Sequence, residues 1–327
     1  MSVEKFDRDI QFRNLSAEQR EQMMIQVAKR YYQLDKTMSD IADQLGLTRW
    51  QASKLLTEAR DSGLVRIEIV PHTPRLPALE SQLQTRFGLK EAVVVPYHDG
   101  EDDALMLDGV ARAAATFIAG LGRLPLIGVS WGRTMSAVAR RLPPFWNDRV
   151  EVVLLNGAMN IRASAEASNN VAELFARSGN GTATLLPVPA IFGHAATRIA
   201  LEQDPTIAAV LELGQRAPVI CFGIGAMTSE SVLVKSGYLS ASDQLALADK
   251  GAVGDILSRY IDANGGVVDQ ALDDRTIGFS LQACRTREIA IGVGTGRAKH
   301  AAIRGCLRAK YMDVLVTDEQ TARYLLN

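Results

Sequence analysis

The chain has 327 residues, 47% of them hydrophobic and 6% aromatic, with a net charge of −1. That length fits a small head plus one large domain or two medium ones, and the aliphatic content buries a sizeable core, which excludes a disordered chain. No run approaches the roughly 18 apolar residues of a membrane span, and Met1–Arg13 lacks a signal-peptide apolar region, so a cytoplasmic protein with no membrane partner is expected.

In chain order, Ser16 followed by Gln19 in the capping-box position predicts a first helix, Leu15–Leu34. Its expected buried side is Met24, Val27, Ala28, Tyr31 and Tyr32. The next segment, Thr37–Ile69, reads TMSDIADQLGLTRWQASKLLTEARDSGLVRIEI. Ser39 caps a short helix carrying Ile41, Ala42 and Leu45 on one face, and Gly46 supplies the tight turn between crossing helices. Thr48 caps a second helix that buries Ala52, Leu55 and Leu56. Its opening turns present Thr48, Arg49, Trp50, Gln51, Ser53 and Lys54, the donor-rich set that a major-groove helix requires. Gln51 or Arg49 is expected to reach base edges, and Ser39 is counted with them among the DNA-binding residues. Gly63 ends the helix, and Val65–Ile69 alternates like a strand, as a wing would.

These features predict a winged helix-turn-helix DNA-binding domain over residues 1–70. The competing reading is an ordinary amphipathic helix pair in a core; the polar helix surface and the appended strand weigh against it. A net charge near zero does not exclude DNA, because Arg20, Lys29, Arg30, Lys36, Arg49, Lys54 and Arg60 form a local basic set. Residues 71–77 form a proline-punctuated linker.

Over residues 78–327 short apolar runs alternate with helical patterns. Strands are predicted at Ala92–Pro96, Leu126–Val129, Val150–Leu155, Thr184–Pro187, Val219–Phe222, Ile289–Val293 and Asp313–Val316. Helices are predicted at Ala104–Ile118, Met135–Arg141, Val171–Arg177, Arg297–Arg308 and Glu319–Leu326. The fold class is therefore α/β, a doubly wound, mainly parallel sheet. Ligands of such sheets bind beyond the strand carboxyl ends. Four strand-to-helix turns there carry glycine: Gly128–Met135, Asn156-Gly157, Gly223–Gly225 and Gly292–Lys299. With Arg133, Arg297 and Lys299 nearby, they point to a phosphate-bearing ligand.

Some of these residues have a second reading. Asp255 could cap a helix at Ile256–Tyr260 or pair with Arg259, Lys299 could be solvated, and Trp131 could anchor a core or form a sugar-stacking wall. The histidines His72, His98, His194 and His300 show no metal or triad spacing, and Cys221, Cys284 and Cys306 read as reduced thiols. No metal and no cofactor is expected.

The head segment, Gly128–Met135, Gly251–Ile256, Gly294–Lys299 and Asp313–Glu319, with Tyr324-Leu325-Leu326 at the end, together resemble the SorC-type, DeoR-like family of sugar-responsive transcriptional regulators. The resemblance covers nearly the whole chain. It implies an effector and oligomerisation domain related in fold to sugar-phosphate isomerases and deaminases but acting as a sensor. It also implies a homodimer or homotetramer that loosens from operator DNA when a sugar phosphate, sugar or polyol binds. Ser130–Thr134 would then meet the phosphate or sugar, Asp255 the hydroxyls, and Lys299 the opposite side of the pocket. The full expected effector set is Gly128, Ser130, Trp131, Gly132, Arg133, Thr134, Asn156, Gly157, Gly223, Gly225, Asp255, Gly294 and Lys299.

The alternative is a sugar-phosphate isomerase or deaminase with a fused DNA-binding head. Such an enzyme needs a carboxylate base beside an acid and an electrophilic donor. Glu166, Glu173 and Glu230 stand singly, and no dense acidic run appears. A dinucleotide enzyme is disfavoured because Gly292–Gly296 lacks the Gly-x-Gly-x-x-Gly spacing.

Overall fold

A computed structural model describes residues 12, 16–65, 75–97, 102–157, 171–229 and 231–327. The chain divides into two compact units, Met1–His72 and Thr73–Asn327.

In the first unit α1 (Ala17–Tyr32), α2 (Met38–Leu45) and α3 (Arg49–Asp61) enclose one small core. Ser16 and Gln19 form the expected capping box. Val27, Ala28, Ile41, Ala42, Ala52, Leu55 and Leu56 fill the interior. Tyr31 and Tyr32 do not join it; both are exposed, and the Tyr32 hydroxyl instead accepts a 2.8 Å hydrogen bond from Arg60. The cap of α2 is Thr37, two residues before the predicted cap Ser39: its hydroxyl accepts from the Asp40 amide, and Asp40 reaches back to it. Gly46 closes α2 in the left-handed region at φ 67°. The predicted wing strand lies almost wholly on residues 66–69, outside the described residues, as does the expected head–linker boundary.

The second unit begins with α4 (Pro77–Phe87) and is built on a sheet of strand order β1-β9-β8-β5-β2-β3-β4, every neighbouring pair on that path parallel. The strands are β1 (Glu91–Val95), β2 (Leu126–Val129), β3 (Glu151–Leu154), β4 (Thr182–Thr184), β5 (Val219–Ala226), β8 (Ile289–Val293) and β9 (Val314–Asp318). Their side chains alternate between two cores. Val93, Val95, Ile291, Val293, Val314 and Val316 enter one, while Ala92, Val94, Ala290 and Leu315 enter the other. Burial on both faces is what a parallel sheet covered by helices requires. The predicted strand Thr184–Pro187 falls earlier, at Thr182–Thr184, where the chain pairs with β3 at the sheet edge.

The chain runs outward from β2 through β3 to β4, and outward in the other direction from β5 through β8 to β9. Adjacent β2 and β5 therefore mark the switch point, where a crevice opens beyond the strand ends. Beyond its parallel part β5 continues and pairs antiparallel with β6 (Gly254–Ile256), which turns into β7 (Arg259–Ile261). This hairpin replaces the helix that one reading of Asp255 required. Its two turn residues, Leu257 and Ser258, both have positive φ, 52° and 68°, the geometry of the tight turn that follows a hairpin's twist.

Candidate functional site

On α3 the exposed residues of the first two turns are Arg49, Trp50, Ser53 and Lys54. Ser39 on α2 is also exposed. Gln51, expected to read bases, is 1% exposed. Its Oε1 accepts from the Thr48 amide at 2.8 Å while the Thr48 hydroxyl accepts from the Gln51 amide at 3.2 Å. This capping box spends the side chain on an orphan amide of the helix start and turns it away from the outer face. Thr48 is likewise committed to capping.

The switch-point crevice holds a cavity of about 80 Å³. Three structural pieces meet there. After β2, Ser130 is pinned by its amide to the Cys221 carbonyl at 3.0 Å and by its hydroxyl to the Gly223 amide at 3.2 Å. The chain then passes Trp131 and Gly132 into α6 (Arg133–Arg141; α5 is Asp103–Gly120). Gly132, at φ 129°, gives the helix start no side-chain acceptor, so its first-turn amides face the cavity without a capping group. Met135 beneath is fully buried against Cys221 and lends the turn its floor. From the second piece, the β5–β6 pairing, comes Asp255, opposite Gly225. The third piece is the turn after β8, which delivers Lys299; its ammonium donates to the Thr134 hydroxyl at 3.0 Å.

Electrostatically the cavity is polarised. Burial raises the Asp255 carboxyl to about 6, against the favourable Lys299 charge and a hydrogen bond from the Ser258 amide. Burial lowers Lys299 to about 8, and the neighbouring Arg133 lowers it further, while Asp255 opposes the shift. Asp255 is the single carboxylate among the described lining residues. Among the described residues no group of three or more His, Cys, Asp or Glu could hold a metal.

Ten of the expected effector residues line this cavity: Ser130, Trp131, Gly132, Arg133, Thr134, Asn156, Gly223, Gly225, Asp255 and Lys299. Three do not, each for a packing reason. A side chain on Gly128 would meet Leu155 at 2.6 Å, one on Gly157 the 188–190 backbone at 2.7 Å, and one on Gly294 Ile303 at 3.0 Å. Their glycines let elements approach one another. Arg297 is exposed and outside the cavity. Trp131 is both anchor and wall: its indole N–H donates to the Gly157 carbonyl at 2.6 Å, and it lines the cavity. Glu166 and Glu230 lie outside the described residues.

Sequence reading missed Thr228, Ser231, Leu257 and Ser258, which also line the cavity. Ser231 carries a recognisable signal, since it caps the short helix α10 (Val232–Lys235; α7 is Val171–Ser178, α8 Ala195–Glu202 and α9 Pro205–Arg216). Ser258 carries none, because its positive φ follows from hairpin pairing and not from residue type.

Comparison with known proteins adds the following. The Sugar-bind family, a sugar-binding domain, matches residues 73–327. The chain is 36% identical over 310 residues to the deoxyribonucleoside regulator of Bacillus subtilis, covering 94% of this chain and 98% of that one. It is 28% identical over 307 residues to the sorbitol operon regulator of Klebsiella pneumoniae, covering 93% and 97%. The full-length crystal structure of the sorbitol operon regulator SorC from Klebsiella pneumoniae aligns with a TM-score of 0.71 at 28% identity, over 96% of this chain and all of that one.

Proposed function

The chain belongs to the SorC family of sugar-responsive transcriptional regulators, and on that premise we propose that it represses a carbohydrate catabolic operon until a small phosphorylated sugar or related polyol fills its cavity. The observation that carries this reading is the polarity of that cavity. One side offers uncapped helix amides with Arg133 and Lys299, suited to an anion; the other offers Asp255, an acceptor for hydroxyls. The relatives' names fit this chemistry, being regulators of deoxyribonucleoside, sorbitol and erythritol use.

In this proposal residues 1–70 bind operator DNA through Arg49, Trp50, Ser53 and Lys54, residues 71–77 link, and residues 78–327 sense and oligomerise. One head offers few contacts, so a homodimer or homotetramer places two heads on half-sites about 10 bp or a multiple apart. The protein acts in the cytoplasm and turns over no substrate, a reading supported by the regulators it resembles. No helix of the described residues is long and apolar enough to cross a membrane.

Effector binding changes DNA affinity only by as much as the ligand prefers one state of the protein. Calorimetry against sugar phosphates and free polyols, read beside operator release, tests the reading. Asp255→Asn and Lys299→Met are expected to abolish the response while leaving ligand-free operator binding near normal. If both variants respond like the parent, the cavity is not the sensor; turnover of a sugar phosphate would restore the enzyme alternative.

A further inference from the structure

We infer that Trp50 reads the 5-methyl group of one thymine in the major groove of each operator half-site, an inference that rests on α3 being the operator-binding helix. Trp50 occupies the second position of α3 and is 65% exposed, in a unit whose other large apolar groups mostly enter the core. Leaving an indole in water at a helix start forgoes the burial that such a ring normally provides. Nor does the ring hang loose. Lys54, one turn on, holds its ammonium over the ring, 5.1 Å from its centre, and so fixes the indole beside it. Glu58, the next residue on that stripe, is held by Arg20 at 2.8 Å.

The inward turn of Gln51 sharpens the point. With its amide committed to the cap, the exposed groups of the first two turns are two cations, one small hydroxyl and one broad apolar surface. In the major groove every base edge is a pattern of donors and acceptors except at thymine, whose methyl is the apolar feature. Indole offers a single donor and no acceptor, so it cannot discriminate the polar edges well, whereas its ring can bury a methyl. Lys54 beside it then reaches the phosphate backbone.

The test uses the full-length chain. Duplexes selected by it from a random pool serve as probes, and each thymine of a half-site is replaced by uracil, which removes the methyl and nothing else. One position is expected at which uracil weakens wild-type binding about fourfold, the worth of burying a group of that size. Trp50→Ala is expected to bind the thymine and uracil forms alike, and Trp50→Phe to retain the sensitivity. If no position responds, or if Trp50→Ala responds as wild type does, the inference is overturned. If Trp50→Ala binds weakly while uracil changes nothing, the indole is a wedge or a backbone contact and the inference again falls. Arg49→Ala and Lys54→Ala separate the two levels: should both bind the selected duplexes like wild type, the operator-binding role of α3 itself fails.

Discussion

On α3 the cations Arg49 and Lys54 stand exposed, whereas in the cavity Lys299 lies among protein atoms that push its proton affinity down toward 8. The exposed pair stays in contact with water until a partner arrives, so holding it there costs the fold little, and its attraction for phosphate is screened by salt. Lys299 and Asp255 are half-buried and held against partial desolvation, each partly offset by the other. A long polyanion can be gathered by cheap, replaceable surface charge. A small effector among similar metabolites is better recognised by charges already partly desolvated and fixed, which strengthens each contact it makes.

The comparison breaks most visibly at the DNA face. Arg49→Ala and Lys54→Ala are expected to weaken operator binding by roughly 1–3 kcal/mol where a base is read, or to lower the salt dependence where a phosphate is held. The melting temperature should stay where it is, because neither side chain supports the core. A large fall in thermal stability in either variant would erase the contrast.

Protonation sharpens it next. Asp255 titrates near 6, above its ordinary value, so its charged form is lost as pH falls through 6; Lys299 titrates near 8, below its ordinary value, so its charge is lost as pH rises through 8. Affinity for an anionic, hydroxyl-bearing effector should peak between those limits and fall up to about tenfold per pH unit outside them. Calorimetry across pH 5–9 reads this, and the alkaline limb should vanish in Lys299→Met. Ligand-free operator binding, in which Lys299 takes no part, should lack the limb that Lys299→Met removes.

The smallest effect concerns Gln51. Gln51→Ala should cost about 1 kcal/mol of head stability through the lost capping box, with the preferred bases unchanged. A shift in base preference on reselection would return Gln51 to the reading face.

Local signals were legible in the residues themselves. Ser16–Gln19 and Thr48 announce their helices, and Leu126–Val129, Ile289–Val293 and Glu319–Leu326 have the bounds that periodicity predicts. What stayed hidden depends on partners distant in sequence. The β6–β7 hairpin is two three-residue strands, too short for a period-2 pattern, and it exists because β5 overruns its parallel neighbours. Gln51 reads as a DNA contact by type, and only the cap geometry shows it turned inward. Glycine in a βα turn has the same appearance whether it lines the cavity, as at Gly223, or admits a neighbouring element, as at Gly128 and Gly294.

The contact between Gly225 and Asp255 reaches beyond this one molecule. A Cβ on Gly225 would stand 1.9 Å from the Asp255 carboxylate oxygen, so the two positions form a unit of inheritance: no ordinary residue fits at 225 while the carboxylate keeps its place. Lineages that retain the acid are bound to the glycine, and the glycine becomes free to drift once the acid is gone. Aligned descendants of this fold should therefore show the two sites changing together, the acid first, and a lost glycine marks a chain whose carboxylate has left this place in the cavity.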